Sequence, residues 1–182
     1  GLLTWDGLAH ASACQYPYLR QHSVVTGSFG KLLHVTGWRL GYAVAAPTLT
    51  TELRKLHQYT SFTANTPLQH AVAQYLATHA DSLKPDLQAT FAPRRALLQE
   101  GLAGSKLQLF PSEGGYFILA DYSALSDRPD VEVVEWLIER AGVATIPLSP
   151  FYTGPYQGRL IRFAYAREED TLREAAQRLA SL

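Results

Sequence analysis

Ser28-Phe29-Gly30-Lys31, followed at once by Leu32-Leu33-His34-Val35 and then by Thr36-Gly37-Trp38-Arg39-Leu40-Gly41-Tyr42, is the stretch from which the rest of the chain can be read. A short strand is expected before it, around Ser23–Val25. A second is expected from Trp38 to Ala45, where Gly41 permits close backbone approach. Within fifteen residues the stretch offers a primary amine that can condense with an aldehyde. It also offers a guanidinium and hydroxyls suited to a phosphate, and glycines where a backbone must approach a ligand. Open α/β sheets place ligands at the carboxy ends of strands, which is where this cluster falls.

Working outward, Pro47 opens an amphipathic helix to about Tyr59, with Leu49, Leu53 and Leu56 on one face. Asn65-Thr66-Pro67 reads as a helix start, with an apolar stripe of Leu68, Val72, Tyr75 and Leu76. A further long helix is expected from about Asp81 to Ala103, kinked or broken at Pro93. Past Gly101–Ser105 come short strands near 106–110 and 116–121, a helix at 131–141, strands at 143–146 and 160–165, and a last helix from about Glu168 to Leu182. The expected class is α/β. Residues 1–80 read as the end of a large mixed sheet domain, 81–105 as a connecting helix, and 106–182 as a smaller α+β domain.

Composition narrows the function classes. Sixteen basic residues balance sixteen acidic ones, so neither nucleic acid nor an anionic membrane is an expected partner. Cys14 is the only cysteine, which rules out an internal disulfide and suits a reducing, cytoplasmic setting. No apolar run reaches the ~18 residues of a membrane span. No cysteine–histidine cluster has metal spacing, so no metal is expected. The chain has no methionine and opens on Gly1 with a strand-like Leu2-Leu3-Thr4-Trp5, so further protein is expected upstream.

The two halves of the lysine stretch, Ser-x-x-Lys and Thr-Gly-x-Arg-x-Gly, resemble the lysine motif of the class I/II aminotransferases, the fold-type I enzymes. The resemblance continues through His57-Gln58-Tyr59, Asn65-Thr66-Pro67-Leu68-Gln69, Gly114-Gly115-Tyr116-Phe117 and Ile161-Arg162-Phe163. It is most similar to the methionine and kynurenine aminotransferase-like branch. The resemblance implies pyridoxal 5'-phosphate as cofactor, with Lys31 holding it as a Schiff base and moving the substrate proton. It implies Ser28 and Arg39 on the cofactor phosphate, Arg162 on the substrate α-carboxylate, and a homodimer acting on an amino acid and a 2-oxo acid. Residues 1–80 would then be the carboxy-terminal part of the large cofactor domain. The family's Asp-x-x-Tyr pair, which meets the cofactor ring, would lie upstream of Gly1.

The residues around Arg162 support its role separately. On a strand from Leu160 to Ala166, alternation groups Arg162 with Leu160 and Ala164, expected to face the core. An arginine in such surroundings needs an anion, and a carboxylate fits it through two parallel hydrogen bonds. The competing assignment pairs Arg162 with a structural carboxylate such as Asp121. For Ser28 the competing assignment is a turn cap, and for Arg39 a structural ion pair. At the level of function, the same lysine and arginine would also serve a carbon–sulfur β-lyase, and a non-catalytic truncated chain is the remaining alternative.

Overall fold

Val24, Val25 and Thr26, β-branched and bounded by Ser23 and Gly27, favour an extended backbone, and they open β1 (Val24–Ser28). This strand pairs antiparallel with β2 (Gly41–Ala45) in register Val24↔Ala45 through Ser28↔Gly41. The structure, a computed structural model, describes residues 3–182, so the strand-like opening foreseen from Leu2 lies partly outside the described residues. The described chain divides into two units: residues 9–84, and residues 3–8 together with 85–182.

The first unit holds α1 (Pro17–His22), β1, the one-turn α2 (Phe29–Leu32), β2, α3 (Pro47–Thr60) and the start of α4 (Thr66–Gly101). Pro17 and Pro47 sit at the openings of their helices, where a missing N–H costs nothing. The two strands present apolar side chains to solvent, with Val24, Tyr42 and Val44 all exposed. Leu40 is buried beside the loop that returns the chain from α2 to β2.

α4 departs from expectation. One unbroken helix runs where two were foreseen, and it passes through both Pro85 and Pro93. A proline inside a helix costs about 3 kcal/mol. Leu83, Leu87, Phe91 and Leu98 recur along one side of this helix and are all buried. Each such burial stabilises by about 1.5–3 kcal/mol, enough together to offset both breaks.

In the second unit, β3 (Gln108–Leu109), β4 (Phe117–Asp121), β5 (Ile146–Pro147) and β6 (Leu160–Ala164) form an antiparallel sheet in the order β3-β4-β6-β5. Ile118 and Ala120 of β4 and Ile161 and Phe163 of β6 are buried. They make the core with Val133 and Leu137 of α5 (Asp130–Ala141) and with Leu172, Ala176 and Leu179 of α6 (Glu169–Ala180). Acidic residues open both helices, as the helix dipole favours.

Residues 3–8 are tied into this second unit, although residues 9–84 follow them in the chain. Trp5 is buried and its Nε1 donates to the Tyr165 hydroxyl at 2.9 Å, which in turn donates to the Gly115 carbonyl at 2.6 Å. Gln88 donates to the Thr4 carbonyl at 2.7 Å, and Arg95 grips Asp6 through two hydrogen bonds of 3.1 and 2.9 Å. No helix among the described residues is long and apolar enough to cross a membrane.

Candidate functional site

Ser28 ends β1 and caps α2, its Oγ accepting from the Gly30 N–H at 3.1 Å. Its hydroxyl proton is not used by that bond, so the side chain can cap the turn and still donate to an anion. Lys31 follows within the same turn, exposed and without a hydrogen bond or ion pair among the described residues. The chain then returns through a 3₁₀ turn at Thr36–Trp38. Hydrogen bonds from Val35 N to Gly30 O (2.8 Å) and from Phe29 N to Leu40 O (3.1 Å) close the loop.

Arg39 sits at the hinge of that return in the left-handed region, with φ 55° and ψ 36°. A non-glycine residue there carries a strain that the surrounding loop must hold. Its guanidinium donates to the Thr36 carbonyl at 3.1 Å and makes no ion pair among the described residues. The structural ion pair weighed for Arg39 is therefore absent, and the guanidinium keeps donors to spare. Two glycines make the arrangement possible. A side chain at Gly41 would lie 2.6 Å from the Gly27 carbonyl, and one at Gly27 would collide with the Tyr42 ring, which also packs on Phe29 at 5.2 Å. The cluster is thus a hydroxyl, an amine and a guanidinium presented by one closed loop. That donor set fits a phosphorylated aldehyde, with the amine for the aldehyde carbon and the other two for the phosphate.

The second unit carries Arg162 at the middle of β6, directly opposite Leu119 on one side and Ile146 on the other. The expected facing is corrected. Ile161 and Phe163 take the core side, which places Leu160, Arg162 and Ala164 on the opposite, more open face. The reason is tertiary: α5 and α6 bring their buried residues to the Ile161 and Phe163 side, and alternation turns Arg162 outward. Its guanidinium carbon lies 4.7 Å from the Phe117 ring centroid and 5.7 Å from that of Phe151. No carboxylate pairs with it among the described residues. Asp121 takes the Ser123 N–H at 2.6 Å instead, and hydrogen bonding with Ser123, through its side chain and then its backbone, holds the Asp121 carboxyl below the usual range. Arg162 is thus a cation on an apolar sheet face, flanked by two aromatic rings and open to an incoming anion.

The chain as a whole matches the family model for aminotransferase class I and II over residues 8–179. This chain belongs to the class I and II aminotransferase family. It is 44% identical over 175 residues to a methionine aminotransferase of Escherichia coli, covering 95% of this chain and 45% of that protein. It is 28% identical over 199 residues to kynurenine–oxoglutarate transaminase 1 of Mus musculus, covering 98% of this chain and 47% of that one. A solved Escherichia coli structure reported with a methionine aminotransferase function superposes with a TM-score of 0.94 at 42% identity, over 100% of this chain and 48% of the other. The chain therefore spans about half the length of the curated relatives it matches. The mixed α/β class expected from the sequence agrees with that structural match.

Sequence reasoning did not mark three residues that the structure places beside Arg162 or under the turn next to it. Phe117 was visible within the Gly-Gly-Tyr-Phe run, but nothing marked it as a partner of Arg162. Phe151 lies in a loop, and no periodicity assigns a loop residue to a sheet face. Asp130, buried at the start of α5, looks in sequence like any acidic residue in a first turn. Tyr59, by contrast, fills no core and is 86% exposed, while Asn65 serves as a helix cap, its Oδ1 accepting from Leu68 N at 3.1 Å.

Proposed function

We propose that this protein transfers the amino group of an L-amino acid to a 2-oxo acid, with pyridoxal 5'-phosphate held on Lys31. The observation that carries the reading is the closed loop from Ser28 to Gly41, which presents Lys31 and Arg39 without acidic partners beside a Ser28 hydroxyl that can still donate. When bound, the cofactor supplies the electron sink that makes loss of the substrate Cα proton feasible. Ser28 Oγ and the Arg39 guanidinium hold the phosphate, anchoring the group at its far end. Lys31 Nζ would hold the aldehyde end and, as a free amine, would be the base that takes the proton from the substrate Cα. Arg162 fixes the substrate carboxylate through two parallel hydrogen bonds.

The donor amino acid has an uncharged body in this reading. The face around Arg162 carries Phe117, Leu119 and Ile146, and the relatives are named for methionine and kynurenine. The protein acts as a cytoplasmic homodimer. The lone Cys14 suits a reducing compartment. Tyr59 and Phe62, 86% and 77% exposed, give the first unit the exposed aromatic residues that interfaces favour, with Leu56 exposed beside them in sequence. Transfer is distinguished from carbon–sulfur elimination by incubation with cystathionine in the absence of an oxo acid, where release of pyruvate and ammonia identifies the lyase. The test of the central assignment is borohydride fixation of the cofactor. The label is expected on the peptide containing Lys31 and is expected to vanish in Lys31→Ala; a labelled peptide from elsewhere in the protein refutes the assignment.

A further inference from the structure

Asp130 is the most buried acid in the second unit, with 3% of its surface exposed, and it makes no ion pair among the described residues. Its carboxylate instead accepts three backbone N–H groups: Val131 at 2.9 Å, Leu148 at 2.7 Å and Ser149 at 2.6 Å. The first bond belongs to the opening of α5. The other two reach 18 and 19 residues along the chain, to the loop that follows β5. A buried carboxylate requires such donors, and a loop held by two charge-assisted bonds loses its freedom to shift. That loop goes straight into the 3₁₀ turn Ser149–Phe151, closed by Phe151 N to Leu148 O at 3.0 Å. Phe151 is otherwise 65% exposed, and its ring stands 5.7 Å from the Arg162 guanidinium. Besides that ring contact and the β5–β6 pairing that ends at Pro147, the two hydrogen bonds to Asp130 are what anchor the start of the turn.

We propose that Asp130 is a positioning residue for carboxylate recognition: by anchoring the Leu148 and Ser149 amides it holds Phe151 against Arg162, and so sets the geometry in which Arg162 meets a substrate carboxylate. The proposal rests on the assignment of Arg162 as the carboxylate-binding residue. Phe117 comes from the neighbouring strand and needs no such anchor, because the ladder fixes it. Phe151 has no ladder, and the buried acid takes its place. Burial is the largest single influence and pushes the Asp130 carboxyl up, but the hydrogen bonds from Ser149, Leu148 and Val131 together outweigh it and hold the carboxyl below its usual range, so the anchor is charged at neutral pH.

The test measures binding of 3-phenylpropanoate, a carboxylate without an amine, to the holoenzyme by calorimetry, alongside steady-state kinetics with an amino acid. Asp130→Asn and Phe151→Ala are each expected to weaken binding by about three- to tenfold, the fold-change expected for a partly desolvated cation–aromatic contact. KM is expected to rise while kcat stays within about twofold, because Lys31 is untouched. The double variant is expected to bind no more weakly than the weaker single variant, since both changes remove one arrangement. Additive losses, or a Kd unchanged in either single variant, overturn the proposal. Arg162→Lys runs in parallel. If it leaves the Kd unchanged, the assignment of Arg162 fails; if it weakens binding while the other two do not, only the role of Asp130 fails. Should Asp130→Asn not fold, Asp130→Ser retains a hydroxyl acceptor and replaces it, and Phe151→Ala alters only an exposed ring.

Discussion

Replacing Arg162 by lysine keeps the charge and removes the shape. In the structure the guanidinium carbon lies 4.7 Å and 5.7 Å from two ring centroids, and no acid among the described residues pairs with it. The residues directly across the sheet, Leu119 and Ile146, have no side-chain donor to substitute for it. A lysine ammonium can reach a carboxylate, but it gives up the two parallel bonds and the flat stacking surface. Losing one charged hydrogen bond of about 1.5–3 kcal/mol corresponds to roughly a ten- to hundredfold drop in kcat/KM. Folding should change by no more than about 0.5 kcal/mol, because the residue is half-exposed and lies off the core face. The assay is steady-state transamination of an amino acid, with cofactor absorbance recorded to show that Ser28, Lys31 and Arg39 still hold the cofactor. A simple amine without a carboxylate is the control and should react equally slowly in both proteins. An unchanged kcat/KM, or an equal slowing of amine and amino acid, refutes the reasoning and makes Arg162 structural.

Arg39→Gly separates strain from ligand binding. Glycine accepts φ 55° freely, so urea unfolding should show stability kept or raised by up to about 1 kcal/mol, while titration of the apoprotein shows cofactor affinity reduced by roughly tenfold or more. Trp5→Ala should destabilise the second unit by about 3–5 kcal/mol, and Trp5→Phe, which loses mainly the bond to Tyr165, by about 1 kcal/mol; equal midpoints for all three proteins in denaturant would count against the clasp. For Asp130, whose folded carboxyl is held below its usual range, the stabilisation is present above the unfolded value of about 3.9 and is lost as pH falls through the folded value. The stability gap between wild type and Asp130→Asn is therefore expected to narrow in unfolding measurements below about pH 4, and a gap independent of pH would contradict it.

The sequence by itself determined what depends on neighbours along the chain. The strand before Ser28 and the return strand to Ala45 were legible because β-branched residues, glycines and the spacing of the lysine and arginine are local properties. Trp38 and Arg39, however, read as the start of that return strand, lie in the turn before it, and the strand begins only at Gly41. The order of the later strands and helices was legible for the same reason, from period-two and period-3.6 patterns. Tertiary structure decided three things. It carried α4 unbroken through Pro85 and Pro93, because buried Leu83, Leu87, Phe91 and Leu98 outweigh local preference. It tied residues 3–8 into the second unit through Trp5, Asp6 and Thr4, contacts that reach 84 to 160 residues along the chain. Alternation grouped Leu160, Arg162 and Ala164 correctly, but it cannot say which side of a strand is covered. That was settled by the helices packed on Ile161 and Phe163, which left Arg162 on the open face beside Phe117 and Phe151, on a turn fastened by an acid 19 residues away in sequence.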